Sequence, residues 1–495
     1  MRLAELAAAH GIDAGFQGDA VVTGFAIDHR KVAPGTVFGA FRGAKVNGED
    51  FIPAAVAAGA IAVVARPEAK VDGALHLADA NPRRAFAHLA ARFFTPVPTT
   101  LVAVTGTNGK TSCVEMTRQI WRMCGHSAAS IGTLGVTTPD ESVSTGLTTP
   151  DIVSFLANMA GLAREGVTHV AYEASSHGLS QYRNEGLSVA AGAFTNLSRD
   201  HLDYHADMDD YFAAKMRLFT DVVATSGTAV IWADDDEWSQ PAALVAQARG
   251  LRVFSVGEAG ADLRIVARKP DLLGQDLEIV YEGQVRKVRL PLIGAYQVAN
   301  ALVSAGLVLA TGGDVAQVFD ALGRLQPVRG RLERAAISQS GAPVYVDYAH
   351  TPDALEAAIA ALRPHVSGKL ITVFGAGGDR DTGKRGPMGA AAAAGSDLVI
   401  VTDDNPRGED PAAIRAAVLA GAPGATEIGD RREAIRAAIA AAGKDDIVLI
   451  AGKGHELGQI IGRGEQTRIL PFDDVAVARE CAAELAQTPS GASRP

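Results

Sequence analysis

The stretch LVAVTGTNGKTSCVEMTRQIW, residues 101–121, decides how the rest of the chain is read. It joins an apolar run of strand character to a Gly-bearing loop and then to a helical pattern. Gly106 and Gly109 allow backbone N–H groups to turn toward an anion. Lys110 can reach the β- and γ-phosphates of a nucleotide, and Thr111 can offer its hydroxyl to Mg²⁺. The strict Walker spacing is not met, because Val104 stands where the first glycine belongs. What remains, G-x-x-G-K-T, is weaker in isolation. An ordinary glycine turn with a solvated lysine is the alternative, and the flanking strand and helix argue against it. The loop is therefore read as a phosphate cradle.

Working outward, strand-like runs alternate with Ala-rich helical stretches: AIAVVA, TTLVAVTG, VTHVAYEAS, AAGAFTNLS, LITVFGAGG, DLVIVTDD and DIVLIAGKG. Most end in Gly, Asp, Asn or Ser. This is the pattern of an α/β chain with parallel sheets, where ligands collect beyond the carboxyl ends of strands. The Pro-bearing stretch FFTPVPTT (93–100) and the Pro/Gly/Arg connector GRLQPVRGRLER (323–334) mark two boundaries. They divide the chain into residues 1–97, 98–330 and 331–495. The tail AQTPSGASRP is short and polar.

A chain of 495 residues is too long for one core. Hydrophobic residues make up 47% and charged ones 21%, with a net charge of -10 and no basic tail. That balance argues against nucleic acid as the main partner but leaves anionic ligands open, since single loops can be positive. Cys113, Cys124 and Cys481 form neither a paired framework nor a metal-ligand spacing, which suits a reducing compartment. The N-terminus is broken by Glu5, His10 and Asp13 and makes a poor signal peptide. No apolar run reaches the roughly 18 residues a membrane span needs. A cytoplasmic location is expected, without a membrane partner.

Two further loops carry chemistry. AYEASSHGLSQYR places Glu173 at the end of a strand, suitably for Mg²⁺, which prefers oxygen ligands. TNLSRDHLDYH gathers Asp200, His201, Asp203 and His205. Zinc is one reading of that cluster and helix capping another. Lys215, in the helical DMDDYFAAKMRLF, reads by itself as a surface lysine. In TDDNPRGEDP (402–411), Arg407 sits among Asp403, Asp404, Glu409 and Asp410. A solvated loop with Arg407 paired to its neighbours is the plain reading.

Taken together, TGTNGKTS, EASSHGL, TNLSRDHLDYH followed by AAK, VRGRLE, VDYAHTPDAL, GAGGDRDTGKR, TDDNPRGED and AGKGHE resemble the Mur ligase family, within it the type that adds diaminopimelate. They occur in family order from residue 105 to 456, and DHRKVAPGTVFGAFRGAKVNGEDF resembles that family's UDP-binding domain. The resemblance implies an N-terminal α/β UDP-binding domain, a central P-loop-type domain with a mainly parallel sheet, and a C-terminal Rossmann-like domain. It implies ATP as co-substrate, two Mg²⁺ ions, and a monomer acting on small molecules: a UDP-muramoyl dipeptide, meso-diaminopimelate and ATP.

It also implies residue roles. Gly106, Thr107, Asn108, Gly109, Lys110, Thr111 and Ser112 would hold ATP, with Asn300, Arg331, Asp347, His350 and Thr351. Thr111 and Glu173 would serve one metal, and His201 and a carbamate on Lys215 the other. Lys110, Lys215, His201 and Arg331 would be catalytic. His29, Thr148, Thr149, Ser175, Gln181 and Arg183 would hold the muramoyl dipeptide. Arg380, Asp404, Asn405, Pro406, Arg407, Gly452 and Glu456 would form the diaminopimelate pocket. The chain departs from the family pattern at His29, where serine is frequent, and at Gln297, where asparagine is frequent. Lysine addition, a different Mur step, folylpolyglutamate synthesis and a nucleotide-driven switch or binding protein are the competing readings.

Overall fold

Each apolar run named above forms a strand: Ala60–Ala65, Thr100–Thr105, His169–Glu173, Val189–Phe194, Leu370–Phe374, Leu398–Val401 and Ile447–Ala451. Nearly every side chain along them is buried, so they read as continuous apolar runs without alternation, as strands covered on both faces do. The computed structural model describes the chain except for residues 12–18, 44–45, 139–141, 144–147, 203, 236, 380 and 488–495. It falls into two compact units, Met1–Leu263 with Leu302–Val318, and Arg264–Ala301 with Phe319–Pro495. The divisions read at residues 97 and 330 each lie inside one of these units.

In the first unit, Gly24–Ala26, Thr36–Gly39, Ala60–Ala65 and Leu75–Ala78 form a parallel four-stranded sheet. Helix Pro82–Phe93 follows, with Asn81 capping its N-terminus and Pro82 in its first turn. A second sheet runs in the order Arg252–Gly257, Val223–Trp232, Val189–Phe194, Thr100–Thr105, His169–Glu173, Ala128–Gly132, with all these neighbours parallel. Two antiparallel strands, Gly135–Thr137 and Ser142–Val143, follow Ala128–Gly132 at that edge. The phosphate-loop strand is thus flanked by the strands that end in EASSHGL and TNLSRDH. One apolar core runs from Val37 and Phe86 to Leu101, Tyr172 and Phe194. Glu185, buried, ties the pieces further by accepting from Arg84 at 3.1 Å and Arg217 at 2.6 Å.

In the second unit a six-stranded sheet runs in the order Glu333–Ile337, Pro343–Asp347, Ile447–Ala451, Leu370–Phe374, Leu398–Val401, Thr426–Glu427. Only the first pair is antiparallel. The sheet therefore begins one strand before APVYVDYAH, inside the connector read from the sequence. Register sets Asp347 opposite Ala451, Val373 opposite Ile450 and Phe374 opposite Val401. Four loops, DYAHTP, GKGHE, GAGGDRD and TDDNPR, consequently leave one edge of the sheet side by side. Gly330, at φ 66°, is required there: a Cβ would sit 2.3 Å from the backbone N of His455.

Helices Arg431–Ala441 and Asp474–Gln487 are joined through a buried ion pair. Arg431 reaches Asp474 with Nε at 2.8 Å and Nη2 at 2.7 Å, and both side chains are almost wholly excluded from solvent. Arg431 also donates to the carbonyls of Asp403 and Ala451, so the pair anchors two of the four loops. Asp474→Asn is expected to lower the unfolding free energy by about 3–5 kcal/mol, because it strands a buried guanidinium. Urea unfolding measures this, and the double variant combining Arg431→Met with Asp474→Leu should recover most of the loss.

A pH effect follows from His455, whose ring burial, with Arg331 and Arg329 nearby, pushes down to about 4. Its stabilising contribution is complete above pH 6.5, the value of the unfolded side chain, and is lost as pH falls toward 4. Across that window His455→Gln should flatten the dependence of unfolding free energy on pH by up to about 1.4 kcal/mol per pH unit.

Candidate active site

The phosphate loop turns on two glycines with positive φ and is locked by a neighbouring strand end. Gly106 has φ 144° and Gly109, the N-cap of helix Lys110–Met123, has φ 86°. A Cβ on Gly106 would lie 1.9 Å from the Thr195 hydroxyl. Thr195 Oγ1 donates to Asn108 O at 2.6 Å, and Asn196 Oδ1 accepts from Asn108 N at 2.9 Å. Thr107 Oγ1 accepts from Ser198 N at 3.0 Å. Lys110 Nζ turns onto its own loop, donating to Gly106 O at 2.9 Å and Thr107 O at 2.8 Å. Helix start, glycines and lysine form a cradle for an anion.

Lys215 joins this loop. Its helix, Met208–Arg217, is capped by Asp207 and points the side chain inward, where it is 1% exposed. The surface reading of Lys215 is therefore overturned. Nζ donates to Gly106 O at 2.7 Å and lies 4.3 Å above the Tyr211 ring. Burial, then the charge of Lys110, pushes its pKa well below the ordinary lysine value. His201 also borders the Tyr211 ring, at 6.0 Å between centroids, and takes a left-handed φ of 54°.

Glu173 is 2% exposed, and its carboxylate accepts from Thr133 N at 2.7 Å and Thr133 Oγ1 at 3.2 Å. Thr148 lies against the same Thr133 hydroxyl at 3.1 Å. Thr149 Oγ1 donates to Glu173 O at 2.9 Å and accepts from Ser175 N at 3.1 Å. Ser175 caps helix Ser176–Ser180, so the capping role holds for that residue. Arg183 donates to Thr149 O at 2.9 Å and to Gln181 Oε1 at 2.7 Å, and Gln181 donates to the Tyr204 hydroxyl. Thr148, Thr149, Ser175, Gln181 and Arg183 are thus one connected group. His29 stacks flat on Phe51 at 4.4 Å, a contact no serine could make. Among the described residues no three His, Cys, Asp or Glu side chains gather as metal ligands, which leaves the zinc reading without a cluster. Asp203 lies outside the described residues.

In the second unit, Asp347 accepts from Leu332 N at 2.8 Å and Ala349 N at 2.9 Å. Burial pushes its carboxyl upward against the pull of Arg331. The Arg331 guanidinium lies 4.9 Å over Tyr348, and its buried Nε has no acceptor among the described residues. Gln297, the departure from the family pattern, donates to Arg331 O at 2.7 Å, and Asn300 donates to Gln297 at 3.1 Å. His350 is pushed to a lower pKa by burial, and Thr351 caps helix Pro352–Leu362.

The loop after Leu398–Val401 resolves the question of Arg407. Each acidic neighbour is engaged elsewhere: Asp403 with Arg415, Asp404 with Lys453, Glu409 with Arg385, and Asp410 as a helix cap. Arg407 is partly buried, and its guanidinium donates to a carbonyl, Gly378 O, at 2.9 Å. Among the described residues it has no ion pair, so the plain reading of a solvated, self-paired loop fails. Its φ is 51°, held by Arg407 N donating to Ile460 O at 3.0 Å and Gly462 N donating to Arg407 O at 2.7 Å. A Cβ on Gly377 would come within 2.8 Å of the guanidinium, so a larger residue there would have to displace the arginine head. Asn405 donates to Glu456 Oε2 at 2.8 Å, and Gly452, at φ 116°, follows the adjacent strand. Arg380 lies outside the described residues.

Several participants were not singled out from the sequence. Asn196, Thr133 and Lys453 carry little local signal, because the partners Asn108, Glu173 and Asn405 lie 88, 40 and 48 residues away. Arg83 is another: it donates to Arg42 O at 3.1 Å, and burial together with the charge of Arg183 lowers its pKa.

Family models match the chain in succession: the Mur ligase family catalytic domain over residues 21–94, the Mur ligase middle domain over 104–308, and the Mur ligase glutamate ligase domain over 330–454. A protein of Zymomonas mobilis subsp. mobilis named UDP-N-acetylmuramoyl-L-alanyl-D-glutamate--2,6-diaminopimelate ligase is 62% identical over 479 residues, covering 97% of this chain and 98% of that one. A protein of the same name from Bradyrhizobium diazoefficiens is 54% identical, covering 94% and 96%. A solved structure bearing that name matches with a TM-score of 0.76 at 33% identity, covering 99% of this chain and 100% of that one. A MurF ligase from Thermotoga maritima in complex with ADP shares the fold at 19% identity, with a TM-score of 0.60 and coverage of 94% and 98%. With identity of this extent over nearly its whole length, the chain belongs to the Mur ligase family.

Proposed function

We propose that the chain is an ATP-dependent ligase joining meso-2,6-diaminopimelate to UDP-N-acetylmuramoyl-L-alanyl-D-glutamate, with release of ADP and phosphate. It works as a monomer on these small molecules, in a cytoplasmic step of peptidoglycan synthesis. The domain division at residues 97 and 330 belongs to the same reading.

A carboxylate resists attack by an amine because oxide is a poor leaving group. Transfer of the γ-phosphoryl group of ATP to the D-glutamyl carboxylate gives an acyl phosphate, whose phosphate leaves readily. The amine of diaminopimelate adds to the acyl carbon, and the tetrahedral intermediate collapses to the amide. The protein has to bring together two anions that repel, a carboxylate and a triphosphate. Lys110, already aimed along its own loop, supplies positive charge at the phosphates, and the helix start behind it supplies N–H groups. Arg183, half-buried with Thr149 and Gln181, is the carboxylate clamp for the muramoyl dipeptide. Asn300, Arg331, Asp347, His350 and Thr351 keep their assignment to ATP on the resemblance.

Mg²⁺ fits the oxygen-rich donors here: Thr111 and Glu173 for one ion, and His201 with an N-carboxylated Lys215 for a second. When bound, the ions would offset charge on the transferring phosphoryl group. The support for carboxylation is the burial of Lys215 and its lowered pKa, which favour the uncharged amine that adds to CO₂ with loss of a proton. The resulting carbamate is an anionic oxygen donor, which an ammonium is not.

The observation that carries the choice of amino acid is Arg407: a partly buried guanidinium without an ion pair among the described residues, in the loop that also carries Asp404 and Asn405, the latter bonded to Glu456. Diaminopimelate ends in both a carboxylate and an ammonium at the position where lysine has an ammonium alone. The guanidinium takes that carboxylate, and would repel a bare ammonium.

ADP formation should depend jointly on the UDP-dipeptide and diaminopimelate, with lysine and ornithine far poorer. Release of phosphate with neither present would favour a nucleotide-driven switch. Arg407→Ala should raise the KM for diaminopimelate by about 100-fold or more, equivalent to roughly 3 kcal/mol, and leave that for ATP nearly unchanged; equal loss of both would contradict the assignment. Lys215→Ala should be inactive and partly restored by short carboxylic acids, whereas no recovery at any concentration would remove the carbamate from the scheme.

A further inference from the structure

Lys453, in the GKGHE loop, is wholly buried, and the reaction scheme above gives it no part. Its Nζ donates to Asn405 Oδ1 at 3.0 Å and Glu456 Oε2 at 3.2 Å, and lies 3.5 Å from Asp404 Oδ1. Those are three of the residues proposed to hold diaminopimelate. We infer that Lys453 is the positioning residue of that pocket, and that its single charge fixes which kind of amino-acid terminus the pocket accepts. The inference rests on the proposed function and deepens it.

Asn405 supplies the geometry. Its Oδ1 accepts from both Lys453 Nζ and Ile460 N, the latter at 2.9 Å. With the oxygen fixed in that direction, Nδ2 has to face Glu456, which accepts from it at 2.8 Å. Lys453 therefore sets the Asn405 amide and, through it and by direct contact, the Glu456 carboxylate. Both donors land on Oε2, which leaves Oε1 outside this set of bonds. Asp404 Oδ1 faces Lys453 from a buried position and has no hydrogen-bond donor among the described residues. The loop thus presents carboxylate oxygens arranged for an incoming N–H donor.

Charge balance points the same way. Asp404, Glu456 and Asp474 surround Lys453 and Arg431, and Arg431 feels all three carboxylates. Three anions against two cations leave one negative charge, enough for one substrate ammonium. Arg407, without an ion pair among the described residues, answers one carboxylate. The two together suit a terminus that carries both groups. Without Lys453 the excess becomes two negative charges, and the pocket turns toward a purely cationic terminus.

The test compares Lys453→Met and Lys453→Arg with the parent chain, using ATP, the UDP-dipeptide, meso-diaminopimelate and L-lysine. In Lys453→Met the KM for diaminopimelate should rise by about tenfold or more, with that for ATP within about twofold. The ratio of kcat/KM for lysine to that for diaminopimelate should rise by about tenfold. Lys453→Arg keeps the charge and should hold that ratio within about threefold of the parent. If Lys453→Met does not fold, by circular dichroism, Lys453→Gln, which removes the charge and keeps a hydrogen-bond donor, replaces it and should show the same rise in the ratio. A folded Lys453→Met with unchanged ratio and unchanged diaminopimelate KM overturns the inference, as does an unchanged ratio in Lys453→Gln where that variant replaces it. A parent chain that forms no amide with diaminopimelate overturns the proposed function itself, a result separable from either of these.

Discussion

A buried amine has to be answered by oxygen atoms or give up its proton, and this chain buries two lysines at the carboxyl ends of parallel strands. Lys215 meets a single carbonyl, an aromatic face and the like charge of Lys110, and its pKa falls. Lys453 meets an amide oxygen and two carboxylates. The same residue type thus serves opposite purposes. In the proposed scheme one is the amine that takes up CO₂, and the other is a fixed charge that organises a binding loop. Which outcome applies is decided by the atoms within about 4 Å, and those atoms come from distant parts of the sequence.

The loops that carry this chemistry share a second property. Tyr182 and His201 in the first unit, and Leu332, Asp379 and Arg407 in the second, hold left-handed backbone without being glycine. Each such residue costs of the order of 1–3 kcal/mol, and is kept only where its surroundings over-determine it. At Arg407 the holding bonds come from Ile460 and Gly462, so strand Gly458–Ile461 acts as a splint for the loop before it. The buried Arg431–Asp474 pair does similar work from below, through the carbonyls of Asp403 and Ala451. Rigid loops of this kind can present a guanidinium that has no carboxylate of its own, and such a guanidinium is what a substrate carboxylate requires.

Acidic residues in TDDNPRGED illustrate how charge is distributed. Asp403 and Glu409 pair with Arg415 and Arg385, cations drawn from the following and preceding helices. Those pairs keep negative charge away from Arg407 without neutralising it. In the phosphate loop the arrangement is reversed: Thr195 and Asn196 hold the loop through neutral hydrogen bonds, so the positive charge of Lys110 stays available to a phosphate.

Much of the architecture was legible in the sequence. Strands covered on both faces must be apolar throughout, so all seven runs and the strand–loop–helix around Gly106 could be read from local composition alone. Family motifs carried the ligase reading and the residues to inspect. Local reading failed where burial or partnership depends on distant residues: Lys215 reads as a surface lysine, and Arg407 as one member of a self-paired acidic loop. The sheet order that inserts Ile447–Ala451 between Pro343–Asp347 and Leu370–Phe374 brings Lys453 to Asn405 across a separation of 48 positions. The sequence by itself determined which segments would be strands and where phosphate could bind, because those follow from periodicity and glycine placement. Only the tertiary structure decided which charges are matched and which are left open, because electrostatic partnership is set by distance in space and by exclusion of water.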